Sequence, residues 1–264
     1  MREELVFSSR LNELLAEAEL LREEHPGCGV EKMYYTLNPG FIGRDQFIDL
    51  FMQLGFRIKR NRNYRRTTYS IKNAYPNLIK GLSVAAPSTV WQSDITYIDI
   101  GAKFYYAVFI IDVYTKIIVG YKVSENMRAT ANLKALQMAL KNHLPPRIHH
   151  SDRGSQYNYH EYINMLKNKG CQISMARSAQ DNAYAERINQ TIKYEYLKYW
   201  KPKNFKELER YMKKAVDHYN TRRAHNHLMR MTPQSFASSW NKGEFLHPPV
   251  ITIYNNEENK TVKK

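Results

Sequence analysis

Three runs rich in β-branched and aromatic residues, at 90–100, 104–111 and 117–123, follow one another with only short turns between them. Gly101-Ala102-Lys103 turns the first pair and Tyr114-Thr115-Lys116 the second, so the three predict an antiparallel meander. Beyond residue 129 the period changes. Leu133, Leu136 and Leu140 recur at helical spacing until Pro145-Pro146. A short strand over 147–150, a helix over 159–169 closed by Gly170, and a strand over 171–175 come next. Helices over 181–199 and 205–219 complete the series. A meander that runs on into alternating helix and strand predicts an α/β fold, a mixed five-stranded sheet flanked by helices.

The front of the chain reads as a small helical domain. Leu11, Leu14, Leu15, Ala18 and Leu21 mark a first helix, with Ser8 or Ser9 as its cap and Pro26-Gly27 as its stop. A second runs over 30–37 and breaks at Asn38-Pro39-Gly40, and Phe47, Leu50, Phe51 and Leu54 mark a third that ends at Gly55. Helix, turn and helix before a basic arm are compatible with a DNA-binding helix-turn-helix.

Charge divides the chain in the same places. The formal net charge is +15, but residues 1–56 carry −5, residues 57–86 hold eight Lys or Arg and no acid, and residues 87–264 carry +12. This argues against an acidic-ligand binder of ordinary type and for a polyanionic partner, nucleic acid first. In the arm, Arg57, Lys59, Arg60, Arg62, Arg65 and Arg66 interleave with Tyr64 and suit phosphate contacts. The predicted organisation is a helical domain at 1–56, a basic connector at 57–86, a core at 87–240 and a polar tail at 241–264. Cys28 and Cys171 stand in no zinc-type spacing and read as buried thiols. With no apolar run near the ~18 residues of a membrane span, and no signal-like start, the expectation is a cytoplasmic protein with no membrane partner.

Chemistry on a phosphodiester usually needs carboxylates that can hold metal. Asp94 sits within a strand that is otherwise core-like, where a charge is costly unless paired or metal-bound. Asp152 follows the strand that ends at His150, at a carboxyl edge of the sheet. Glu186 lies early in the long helix between small neighbours, Ala183 and Ala185, that permit close packing. The three can meet at one point and bind two Mg²⁺ or Mn²⁺. They also read as a hydrogen-bonded core acid, a turn residue and a solvent-facing helix residue.

The segments WQSDITYI, HHSDRGSQY and DNAYAERINQTIKYEYL resemble, in order, the three catalytic blocks of the insertion-sequence-three family of bacterial transposases, in its second-reading-frame (OrfB-like) product. GVEKMYYTL, IGRDQFIDLFMQLGFRIKRNRNYRRTT and YNTRRAHNHLMRMTP resemble that family's front domain and closing helix, so the likeness runs to about Ala237. It implies an RNase H-like, retroviral-integrase-type core whose Asp-Asp-Glu triad is Asp94, Asp152 and Glu186. It further implies two Mg²⁺ or Mn²⁺ per site, and DNA cleavage and strand transfer at element ends. The implied partners are element-end and target DNA, further copies of the chain on that DNA, and the first-reading-frame product. Between Asp152 and Glu186 stand 33 residues, Arg153 to Ala185, fewer than is usual in that family; the flanking blocks predict that the shorter loop leaves Glu186 in place.

The same likeness gives Lys193, seven after Glu186, a DNA contact near the scissile phosphate, and gives Arg223, in the closing motif with Tyr219, Asn220 and His225, packing with some DNA contact. Asn182, four before Glu186, either orients it, touches substrate or bonds the helix start. His150 either helps position the site or is a hydrogen-bonded strand-end histidine. Ser178 or Asp181 suits an N-cap, and Asp112 reads as a structural turn acid. Two other readings stay open here: a non-catalytic DNA-binding protein that retains the fold, and a different RNase H-fold nuclease such as a resolvase, against which WQSDITYI and HSDRGSQY speak.

Overall fold

The computed structural model describes residues 2–58, 75–101 and 103–253. Three helices come first, α1 (Arg2–Glu24), α2 (Val30–Leu37) and α3 (Arg44–Gln53). Their apolar faces close a small core in which Ala18, Met33, Phe47 and Phe51 are fully buried. Ser8 and Ser9 lie inside α1 rather than at its start. The extra turn is held by tertiary contact, with Phe7 packed edge-on against Phe41 at 5.7 Å. Of the basic arm, Lys59, Arg60, Arg62, Arg65 and Arg66 lie outside the described residues.

The main body then runs β1 (Ser83–Val84), β2 (Val90–Ile100), β3 (Lys103–Asp112), β4 (Ile118–Ser124), α4 (Ala129–Asn142), β5 (Ile148–Ser151), α5 (His160–Asn168) and β6 (Gln172–Met175). Next come α6 (Ala183–Thr191), a π-helical stretch Ile192–Leu197, α7 (Lys198–Trp200), α8 (Phe205–Thr221), α9 (Pro233–Asn241) and β7 (Ile251–Thr252). The five-stranded sheet has the order β4-β3-β2-β5-β6. β2, β3 and β4 form the antiparallel meander, and β5 and β6 run parallel to β2, as the change of period predicted.

β2 is the central strand, and its two faces serve two cores. Trp91 and Ile95 pack with residues of α4 and α5. Ile98 packs with Ala185, Ile188 and residues of α8 on the other face, which by strand alternation is also the face of Gln92 and Asp94. Asp112 closes the turn after β3: its carboxylate accepts from Ser88 N at 2.6 Å, Tyr114 N at 3.0 Å and Thr115 N at 2.8 Å. It is the structural turn acid expected. Asn220 docks α8 on the sheet edge, bonding both Ile118 N (2.9 Å) and Ile118 O (3.1 Å).

α4 approaches β4 at Gly120, where a Cβ would stand 2.3 Å from the Ala135 carbonyl oxygen. Gly120→Ala therefore forces the helix off the sheet and is expected to lower stability by about 2 kcal/mol, the scale of core overpacking. Chemical denaturation would show this as a lowered midpoint; an unchanged midpoint would mean that α4 gives way freely.

Two features depart from expectation. The start of the 241–264 tail is built into the fold: Ile251 and Thr252 pair with Val84 and Ser83, and Ile253 is buried. α9, not foreseen, begins at a Thr232 cap followed by Pro233 and buries Phe236. Among the described residues no helix is long and apolar enough to cross a membrane.

Candidate active site

Register brings two of the three acids together. Ser93 of β2 pairs with Ser151 of β5, so Asp94 and Asp152 each follow the last paired position of adjacent parallel strands. Asp152 folds back on its own loop, where its Oδ1 accepts from Gly154 N at 3.0 Å. Beside it Ser93 Oγ and the buried Tyr157 hydroxyl share a 2.9 Å bond.

The third acid arrives on α6, and buried amides fix that helix to β2. Gln92, fully buried, accepts from Tyr184 N at 3.0 Å and Ala185 N at 3.4 Å, and donates to Asp181 O at 3.3 Å. In effect β2 caps α6 one turn before Glu186. Asn182, also buried, donates to Ser93 O at 3.0 Å, next to Asp94. Ser178 and Asp181 form a reciprocal capping box ahead of it. Asn182 thus orients the helix start. These contacts tie the start of α6 to β2 directly, apart from the loop that precedes it.

The Asp94 carboxyl is held well above its usual range, first by burial, then by the negative charge of Asp152 and, more weakly, of Glu186. A 2.8 Å bond from Asn189 Nδ2 to Asp94 Oδ2 opposes this. Burial also raises Glu186. The Lys193 ammonium lies 4.3 Å from the Tyr97 ring centre; burial lowers its pKa, opposed by the charge of Asp94. Asp94 thus feels the charge of both other acids and lends its own to Lys193. The hard oxygen donors of the three acids suit Mg²⁺ or Mn²⁺. Among the described residues, however, no three His, Cys, Asp or Glu side chains stand, as arranged here, in a group that could hold a metal ion.

The remaining expectations divide. Lys193 lies over the Tyr97 ring, within reach of the Asp94 charge. His150 is buried, with Nδ1 bonded to Ser174 Oγ at 2.8 Å, and burial lowers its pKa to about 4, so it is a neutral strand histidine. Arg57 is exposed, a few residues beyond α3. Arg223 shows the packing expected but not the exposure a DNA contact needs: it is only 5% exposed and gives two bonds to Glu195, at 2.8 and 2.9 Å. Gln92 and Asn189 went unrecognised. Gln92 stands two before Asp94 on the same strand face, and Asn189 three after Glu186 on the same helix face; those spacings were the available signal.

Comparison with known proteins bears on the family and the fold. A family model described as integrase core domain matches residues 84–180, and a second of the same description matches residues 169–233. The chain is 35% identical over 209 residues to the uncharacterized 31 kDa protein of insertion element IS600 of Shigella sonnei, covering 76% of this chain and 77% of that one. It is 39% identical over 208 residues to the transposase for insertion sequence element IS629 of Shigella sonnei, covering 76% and 70%. A simian T-cell lymphotropic virus intasome, solved in complex with PP2A regulatory subunit B56 gamma, shares the fold at 15% identity and a TM-score of 0.55, over 89% of this chain and 77% of that one. Fold and matched core define an integrase-type catalytic domain of RNase H-like architecture. More particularly, the chain belongs to the insertion-sequence transposases, as an OrfB-like member of the insertion-sequence-three family.

Proposed function

We propose that this chain cuts DNA at the ends of its insertion element and joins the freed ends to target DNA, using Asp94, Asp152 and Glu186 to hold two Mg²⁺ or Mn²⁺. The observation that carries the reading is geometric: the Ser93–Ser151 register sets Asp94 and Asp152 side by side at the ends of adjacent parallel strands, and Gln92 and Asn182 tie the helix that carries Glu186 to the same strand. A fold that merely needed a core acid would not set two further carboxylates around it. Bound divalent ions supply Lewis acidity to the phosphodiester and to the attacking oxygen. The chain's own groups do the rest. Asn189 fixes one Asp94 oxygen, Gly154 N fixes one of Asp152, Gln92 and Asn182 set the helix that carries Glu186, and Lys193 meets the backbone phosphate near the cut. Arg57 and the basic connector neutralise flanking phosphates, so affinity falls steeply with salt. Assembly on DNA as an oligomer, cooperation with the first-reading-frame product and a cytoplasmic location belong to this reading.

The test is product analysis on duplex DNA that carries an element end. With Mg²⁺ both cleaved and joined strands are expected, and chelation abolishes both. Hydrolysis without joining would favour a nuclease and overturn the transfer step.

A further inference from the structure

The continuation of α6 is gripped by the front domain. In the π-helical stretch Ile192–Leu197, the Glu195 carboxylate receives two bonds from Arg223. It also receives a bond from Lys32 Nζ of α2, at 3.2 Å to Oε1, and shares a 2.7 Å bond between its Oε2 and His25 Nε2. The backbone joins in: Glu195 O accepts from Gly27 N at 2.8 Å. A Cβ on Gly27 would lie 2.4 Å from Glu195 Cα, so the approach requires glycine. His25 stacks on Tyr196 with ring centres 4.8 Å apart. Burial alone would push the Glu195 carboxyl up, but Arg223, His25 and Lys32 together hold it well below the usual range. It is therefore a permanent charge between two domains, and the proposed chemistry uses none of these groups.

A π-helical turn is rare and shifts the residues beyond it relative to an α-helix, so its surroundings must sustain it. Here the surroundings come from α8, through apolar packing and a 3.0 Å bond between the Tyr196 hydroxyl and His218 Nδ1, and from residues 25–32, far away in sequence. Lys193 lies inside the same stretch and Glu186 on the α-helical part before it. We propose that Glu195 is a positioning residue, the point at which the front domain fixes the π-helical register and so the placing of Lys193 and Glu186. This rests on the catalytic reading of those two residues.

The test uses the full chain with Glu195→Gln and, separately, Lys32→Met. The latter touches only the front domain and leaves the Glu195–Arg223 pair, so it serves even if the first variant folds poorly. In both, amide hydrogen exchange over 192–200 is expected to quicken by about tenfold or more while β2 and β5 stay protected. Single-turnover cleavage should slow by about tenfold with DNA affinity within about twofold. Unchanged exchange over 192–200 in Lys32→Met would overturn the grip, and faster exchange with undiminished cleavage would overturn the positioning role. If the unsubstituted chain fails to cleave DNA while exchange responds as stated, the catalytic reading falls and the grip stands.

Discussion

Asp152→Asn and Glu186→Gln are each expected to slow DNA strand cleavage by at least about a thousandfold, the equivalent of several kcal/mol of transition-state charge stabilisation. Both substitutions keep shape and remove charge, so fold and DNA affinity should persist. Asp94→Asn carries a second, opposite signature. Its carboxyl is raised by burial and by the charges of Asp152 and Glu186. A raised acid binds more protons folded than unfolded between its two pKa values, so the stability it contributes declines as pH rises through that window. Above the window the ionised form is a net cost. In metal-free protein at neutral pH, Asp94→Asn should therefore raise stability by on the order of 1 kcal/mol, about 2–4 °C in Tm. The bond from Asn189 survives, since the new amide oxygen accepts it. Calorimetry without metal beside single-turnover cleavage with Mg²⁺ reads both. Full activity in any one of the three variants would remove that acid from the mechanism.

The sheet was readable because hydrophobic period is local. The meander at 90–124 and the alternation after it state themselves in side-chain spacing. Of the acids only Asp94 stood out in that way, as a charge in a core-like strand; Asp152 and Glu186 were singled out by the likeness of their segments to the family's blocks. What escaped was decided by distant partners. Gln92 is an ordinary polar residue until Tyr184 N is set against it, and Asn189 an ordinary helix residue until Asp94 is. Arg223 sits in a motif whose likeness implied packing with some DNA contact, yet Glu195 and burial take its donors. The π-helical turn is silent because Ile188, Ile192 and Tyr196 keep a four-residue spacing that both helix types accept. The strand pair 83–84 with 251–252 is too short to show a period at all.

Gln92→Leu should be the most damaging change that removes no charge. The side chain is fully buried and makes three bonds to the start of α6. Leucine fills similar space but leaves the Tyr184 N–H and the Asp181 carbonyl without this partner, at about 1–3 kcal/mol for each group left unsatisfied. A loss of about 3 kcal/mol is expected by chemical denaturation. Activity should fall further than stability explains, because Glu186 lies one turn beyond the broken cap and small displacements are costly in a catalytic geometry; at a temperature where the variant is folded, cleavage should slow by about a hundredfold. Asn182→Ala, which removes the single bond to Ser93 O, gives the scale: about 1 kcal/mol and a smaller rate loss. The comparison decides what sets the helix. If Gln92→Leu loses stability but keeps its cleavage rate, then the packing of Ala185 and Ile188 against Ile98 and Phe109 suffices to place Glu186. If both fall together, the polar cap from β2 fixes the third carboxylate, and the strand that carries Asp94 also aims its partner.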